Sequence, residues 1–170
     1  AGEVSPNGQF GTIGGFPNDA MEKLLDVYEA TSVSLAQARG LADAQATRAY
    51  ANSWEDVALG KQMAESMIDN GADTLFVYAN QVGLGSIQAA KEKGATFIGF
   101  SGDQNSVAPG TVVASVAFDF ETFYTWTIDK FLKGELAGNT VHQAGIAEGI
   151  FNPVYTDQIS AEVQTKVEAG

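Results

Sequence analysis

Two short runs, Thr74 to Ala79 (TLFVYA) and Thr96 to Phe100 (TFIGF), are apolar from end to end. Between them lies a helical stretch, Gly83 to Lys93, with Ile87 and Ala90 on its inner side and Gly94 to close it. A strand lacking a polar face must be covered on both sides, and this pattern belongs to parallel sheets sandwiched by helices. The rest of the chain keeps the same rhythm. Phe10 to Ile13 is a strand ending in Gly14-Gly15, and Pro17, Asn18 and Asp19 supply the chemistry of a helix start. From Ala20 onward Leu24, Leu25, Val27, Tyr28 and Val33 keep a helical period, and Arg48 to Asn52 reads as a second, short and polar strand.

Ser53 with Asp56 three positions on matches a capping box, which puts Trp54 in the first turn of the following helix. Behind it run two rows at i, i+4 spacing, Leu59-Met63-Met67 and Gly60-Ala64-Ile68, closed by Gly71. After the loop Ser101 to Gly110, Thr111 to Phe118 reads as a strand and Asp119 as a cap. The next helix carries a stripe of Phe120, Phe123, Tyr124, Thr127, Ile128, Phe131 and Leu132, with Trp126 off it as an exposed or interface aromatic. Val141 to Ala147 is expected as a last strand and Ser160 to Glu168 as a short helix. The fold class is therefore α/β, a flavodoxin-like or Rossmann-like parallel sheet built from right-handed crossovers.

Composition narrows what such a sheet does. The 170 residues include 9 Lys+Arg against 21 Asp+Glu, one His and no Cys, a net charge of -12. That charge argues against a nucleic-acid partner, which needs a basic face. Without cysteine, disulfides, thiolate metal sites and thiol nucleophiles are excluded, and one His excludes a multi-His metal centre. No metal or cofactor is expected. No apolar run approaches the roughly 18 residues of a membrane span. Ala1 to Gly8 shows no basic region followed by an apolar stretch, so no signal peptide is read there; the lack of cysteine leans toward export.

Open α/β sheets bind ligands beyond the carboxyl ends of their strands. Those ends carry Gly14, Gly15 and Phe16; Ser53 and Trp54; Asn80 and Gln81; Ser101, Asp103 and Gln104; Phe118 and Asp119; and Glu148. Aromatic faces and amides without Lys or Arg suit a neutral, flat, hydrogen-bonding ligand such as a purine base or a sugar. Each has a plainer reading. Trp54 and Phe16 are equally packing residues, Asp103 an Asx-turn former, His142 a solvated histidine and Glu148 a cap for backbone amides. Gly83-Leu84-Gly85 lacks the third glycine of a dinucleotide fingerprint. An enzyme using Asp103, His142 or Glu148 finds no nucleophile elbow in the sequence, so no catalytic role is expected.

The stretch Tyr50 to Gln104 resembles the basic membrane protein family of ABC-transporter substrate-binding lipoproteins, which includes bacterial purine-nucleoside receptors. The matching pieces are Ser53-Trp54-Glu55-Asp56 with Gly60-Lys61, Asn70-Gly71-Ala72-Asp73, Gly83-Leu84-Gly85, Ala89 to Gly94, Ile98-Gly99 and Asp103-Gln104. Pro109-Gly110-Thr111 and Ser115 continue the register, Ile13 to Pro17 resembles the family's early glycine turn, and Gly145 to Gly149 its late glycine-rich strand. The resemblance implies one lobe of a type I periplasmic binding protein, residues 1–149, with 150–170 as a return segment and short helix. The missing N-terminal lobe would close over the ligand.

Carried over by position, Trp54 falls where the family stacks an aromatic on the base, and Asn80 and Gln81 in the turn that approaches the ligand with backbone. Ser101 stands where nucleoside-binding members put an acid for the ribose hydroxyls, and Phe118 where they put a lysine. A hydroxyl cannot accept both protons of a diol in a charge-assisted pair. A free nucleobase or other flat heterocycle therefore stands level with a nucleoside. The expected ligand-binding set is Phe16, Trp54, Asn80, Gln81, Ser101, Asp103 and Phe118.

The expected function is an extracytoplasmic receptor, periplasmic or lipid-anchored, delivering a nucleobase or nucleoside to an ABC permease. The alternative is a ligand-sensing regulatory domain on the same fold. Exposed aromatics on the lobe-facing surface predict a dimer or aggregate of an isolated lobe.

Overall fold

The computed structural model describes residues 1–169. One six-stranded sheet has the order β2-β1-β3-β4-β5-β6. Its strands are β1 (Gln9–Gly14), β2 (Gln45–Tyr50), β3 (Thr74–Tyr78), β4 (Thr96–Ser101), β5 (Val112–Phe118) and β6 (Phe151–Tyr155). The first five are parallel, and β6 runs antiparallel to β5. The helices are α1 (Asp19–Ala38), α2 (Val57–Asp69), α3 (Asn80–Lys93), α4 (Phe120–Leu132) and α5 (Ala161–Ala169).

The apolar runs take the covered positions that their composition demands. Leu75, Val77 and Phe97 pack with Ala64, Met67, Val82 and Ile87 of α2 and α3. Phe76 and Ile98, pointing the other way, pack with Met21 and Leu25 of α1 and with Ile159 just before α5. The two-residue alternation of a strand thus feeds two separate cores from one apolar run. On the α1 side, Arg48 donates to both carboxylate oxygens of Glu29 (2.8 and 2.7 Å) and to Asp26 (2.7 Å). Glu29 also accepts from the buried Thr12 hydroxyl, which ties α1 to β1 and to the edge strand β2.

Helices α2 and α3 touch backbone to backbone. A Cβ on Gly85 would lie 1.9 Å from the Val57 carbonyl oxygen, and one on Gly60 would lie 2.1 Å from that of Val82. The Ser86 hydroxyl donates to the Gly60 carbonyl across the same crossing, at 3.0 Å. Gly85 of the Gly83-Leu84-Gly85 motif is therefore a helix-packing residue, paired with Gly60 of α2.

Three expectations need correction. Asp56, not Ser53, caps α2 through the Leu59 N–H (2.9 Å), while the Ser53 hydroxyl accepts from Glu55 and Asp56 and shapes a turn. Trp54 consequently sits in that turn ahead of the helix. Residues 141–147 form no strand: Val141 is 87% and Ile146 75% exposed, with no sheet edge beside them. The last strand is Phe151–Tyr155, and it is antiparallel where a parallel one was expected. Helix α4 has no buried residue, and much of its apolar stripe faces outward, with Phe131 70% and Leu132 77% exposed.

Candidate functional site

A row of aromatic rings runs along the carboxyl edge of the sheet. Phe16, after β1, tilts against Trp54 with ring centres 5.8 Å apart, and Trp54 meets Tyr78 at 6.4 Å. Tyr78 packs on Phe100 at 4.5 Å, Phe100 stacks with Phe151 at 6.2 Å, and Phe151 meets Phe118 at 4.9 Å. The row follows from topology, because parallel strands bring their last residues to one edge. Tyr78 and Phe151 end and begin strands β3 and β6, and Phe100 is the penultimate residue of β4.

Beside the middle of this row opens a groove of about 430 Å³, between the start of α3 and the end of β4. Its lining includes Tyr78, Phe100, Asn80, Gln81, Ser101 and Gln104, with Glu55 also at its wall. Loop 102–105 is fixed by neutral hydrogen bonds. The Gln104 amide oxygen accepts from the Phe100 N–H (3.2 Å), and the Ser115 hydroxyl accepts from the Gln104 N–H (3.0 Å) and donates to Asn105 (2.8 Å). Gly99 leaves room for this fold-back, since a Cβ there would lie 2.5 Å from the Ser115 hydroxyl oxygen.

Trp54 is held from two directions. Its ring lies on Gly15, where a Cβ would come within 2.4 Å of the indole. Its carbonyl oxygen accepts from the N–H groups of Gln81 (2.9 Å) and Val82 (3.4 Å). The Gln81 N–H is thus already engaged, and the backbone approach to a ligand expected at Gln81 is closed. Asn80 and Ser101 both have left-handed backbones, φ 24° and 76°, and both side chains are exposed at the groove.

Of the expected residues, Asn80, Gln81 and Ser101 come together in one groove, with Trp54 and Phe16 beside it along the aromatic row. Asp103 and Phe118 do not line it. Asp103 closes an Asx turn on the Asn105 N–H (2.9 Å), and Phe118 packs against Phe120 and Phe123 at the start of α4. Gln104, read at a strand end but left out of the expected binding set, also lines it, as do Tyr78, Phe100 and Glu55, which were not singled out; the tyrosine and phenylalanine are hidden within uniformly apolar strands. His142 and Glu148 are engaged locally, with the Ala137 carbonyl (3.2 Å) and the Gly145 N–H (2.6 Å). No cluster of three or more metal-ligating side chains exists among the described residues.

A second groove of about 500 Å³ lies between α2 and strands β1 and β2. Gln9 and Gln45 at its rim bond to each other (2.8 Å), and it begins at the amino ends of the strands. The rule for open α/β sheets favours the groove at the carboxyl edge.

A family model described as "ABC transporter substrate-binding protein PnrA-like" (Bmp) matches residues 1–169. The chain belongs to this family. Among its relatives, Basic membrane protein A of Borreliella afzelii is 27% identical over 99% of this chain and 52% of the relative. Basic membrane protein B of Borrelia garinii subsp. bavariensis is 30% identical over 88% of this chain and 44% of the relative. The chain therefore spans about half the length of the curated relatives it matches.

Among solved structures, a solute-binding protein of an ABC transporter system from Aeropyrum pernix K1 superposes with a TM-score of 0.72 at 22% identity, covering 94% of this chain and 45% of that one. A transcriptional activator of the comK gene from Bacillus halodurans gives 0.77 at 18%, covering 99% and 56%. These likenesses establish the α/β fold. No helix among the described residues is long and apolar enough to cross a membrane.

Proposed function

We propose that this chain is the second lobe of an extracytoplasmic receptor that presents a flat, uncharged solute, of purine-nucleobase or nucleoside type, to an ABC permease. The observation that carries the reading is the groove at the carboxyl edge, where Tyr78 and Phe100 supply ring faces and Asn80, Gln81, Ser101 and Gln104 supply donors and acceptors. Trp54 is the stacking residue, with Phe16 behind it, and Phe118, outside the groove, extends the aromatic row toward β5. Asp103 lies outside the groove lining and would contact ligand only after its loop moved. Stacking of a desolvated ring with a few hydrogen bonds suffices for binding, and no catalytic group is required.

The outward stripe of α4 and the unpaired segment 137–149 support a first lobe that covers them in the longer protein. On that reading α4 and residues 141–147 leave this sheet after β5, complete the other lobe, and return as β6. Closure of the two lobes over the groove would then complete the site.

The test is a thermal-shift screen of purines, pyrimidines, their nucleosides and sugars, on this chain and on a form extended by an upstream lobe. Stabilisation of the extended form by a purine, lost in Trp54→Ala, supports the proposal. No stabilisation by any purine sinks it. A ligand-sensing domain that reports to another protein is the second reading, supported by the shared fold of the comK activator. A regulatory module attached in the full-length gene would favour it.

A further inference from the structure

Glu55 is the only charged side chain in the lining of the groove at the carboxyl edge, which includes no Lys, Arg or His. It has no ion-pair partner among the described residues. Lys61, a cation of the adjoining helix α2, is held by Glu92 (2.7 Å) and Glu65 (3.9 Å).

A second feature removes the usual counterweight. Helix α3 starts at this groove, and the free N–H groups of a helix start ordinarily welcome an anion. Here the Trp54 carbonyl oxygen takes the Gln81 and Val82 N–H groups, and the Gly83 N–H donates to the Ala79 carbonyl (3.0 Å). The groove thus keeps a carboxylate whose neighbouring helix N–H groups are largely engaged, within a chain of net charge -12.

We infer that Glu55 sets the charge selectivity of the groove, admitting uncharged or cationic solutes with hydrogen-bond donors and turning away phosphorylated and carboxylated ones. The inference rests on the groove being the ligand site. An ionised carboxylate only accepts hydrogen bonds, so the ligand must bring the donors: an exocyclic amino group, a ring N–H or a pair of hydroxyls. A phosphate at the same place would meet Glu55 at short range with no cation to offset it. Ser101 and the side-chain amides of Asn80 and Gln81 adapt to donors or acceptors, and the Gln104 amide, its oxygen taken by the Phe100 N–H, carries no charge, so Glu55 alone fixes the sign.

Two arms test this. In the first, Trp126→Phe leaves Trp54 as the only tryptophan, and its fluorescence is quenched with caesium and with iodide at equal ionic strength. Normalised to free tryptophan amide, caesium is expected to quench about threefold more strongly than iodide, as local charge focusing requires. Glu55→Gln should at least halve that preference, while Glu168→Gln on α5 leaves it unchanged. Equal quenching by the two ions, or no response to Glu55→Gln, overturns the inference.

In the second arm, adenosine and AMP are titrated against the chain and its Glu55→Gln variant. AMP is expected to bind at least about tenfold more weakly than adenosine, with the gap narrowed in the variant. Equal affinities, or a gap indifferent to Glu55→Gln, overturn the inference and leave the purine reading standing. If neither compound binds, the purine reading fails, and the quenching arm still decides the charge selectivity.

Discussion

The carbonyl oxygen of Trp54 accepts the Gln81 N–H at 2.9 Å, so the turn ahead of α2 is sewn onto the first turn of α3. Two segments far apart in sequence are thereby fixed as the wall and floor of one groove. The indole cannot slide away, because Gly15 lies beneath it. The orientation of the candidate stacking residue is thus a consequence of backbone hydrogen bonding and of one missing methyl group.

Gly15→Ala tests that dependence. The added Cβ would fall 2.4 Å from the Trp54 ring, so the indole must move outward. The expected outcome is a red-shifted emission of Trp54 in a Trp126→Phe background and a stability loss of about 1–3 kcal/mol, the usual cost of overpacking. Denaturant unfolding followed by fluorescence measures both.

Gly85→Ala strikes the helix crossing instead. Its Cβ would meet backbone, the Val57 carbonyl oxygen at 1.9 Å, and backbone cannot rotate away as a side chain can. Chemical denaturation should show a loss of about 3 kcal/mol, the upper end of overpacking costs. Gly83→Ala, two residues earlier, has ordinary contact at 3.8 Å and should be neutral or slightly stabilising.

Helix α4 depends on its cap, since none of its residues is buried. The Asp119 carboxylate accepts from the Thr122 N–H and hydroxyl (both 2.9 Å), and these bonds hold its pKa below the usual aspartate range. A depressed carboxyl pKa contributes stability above the unfolded value and loses it as pH falls through the folded one. Hydrogen exchange within α4 should therefore accelerate as pH drops below about 4, relative to intrinsic rates. Asp119→Ala should show the accelerated exchange already at neutral pH.

The outward stripe of α4 makes this chain prone to self-association. Multi-angle light scattering is expected to detect dimers or larger species that grow with concentration. The double variant Ile128→Glu, Phe131→Glu should be monomeric with an unchanged melting temperature, because neither side chain belongs to a core. A monomer at high concentration without these substitutions would contradict this.

The sheet was legible because Thr74 to Ala79 and Thr96 to Phe100 have a composition that only covered parallel strands accept. Strand β6, Phe151–Tyr155, was not legible: it is an edge strand with Asn152 and Pro153 at its exposed positions, and such strands carry little apolar signal. Val141 to Ala147 has the opposite problem. Its composition suits a strand, yet a strand requires a partner edge, and the sheet here offers none beside it. The stripe on α4 was equally visible, but periodicity says which residues share a face and not what lies opposite.

At the groove and beside it, Trp54, Asn80, Gln81 and Ser101 could be placed because they lie at or shortly after the carboxyl ends of strands. Tyr78 and Phe100 could not be singled out, since a uniformly apolar run does not reveal which ring reaches the edge. Glu55 was visible only as part of a turn motif. Its place in the groove depends on the Trp54–Gln81 hydrogen bond, a contact that spacing does not encode.

The most direct test of the groove is a titration of the isotope-labelled chain with adenine, followed by proton–nitrogen NMR, which detects weak binding by a single lobe. Shifts are expected at the Trp54 indole N–H and at the side-chain amides of Asn80, Gln81 and Gln104, and they should vanish in Trp54→Ala for all four. Shifts confined to Gln9, Gln45 and Gln62 would place binding in the other groove, and no shifts at millimolar adenine would contradict the carboxyl-edge site as a purine receptor.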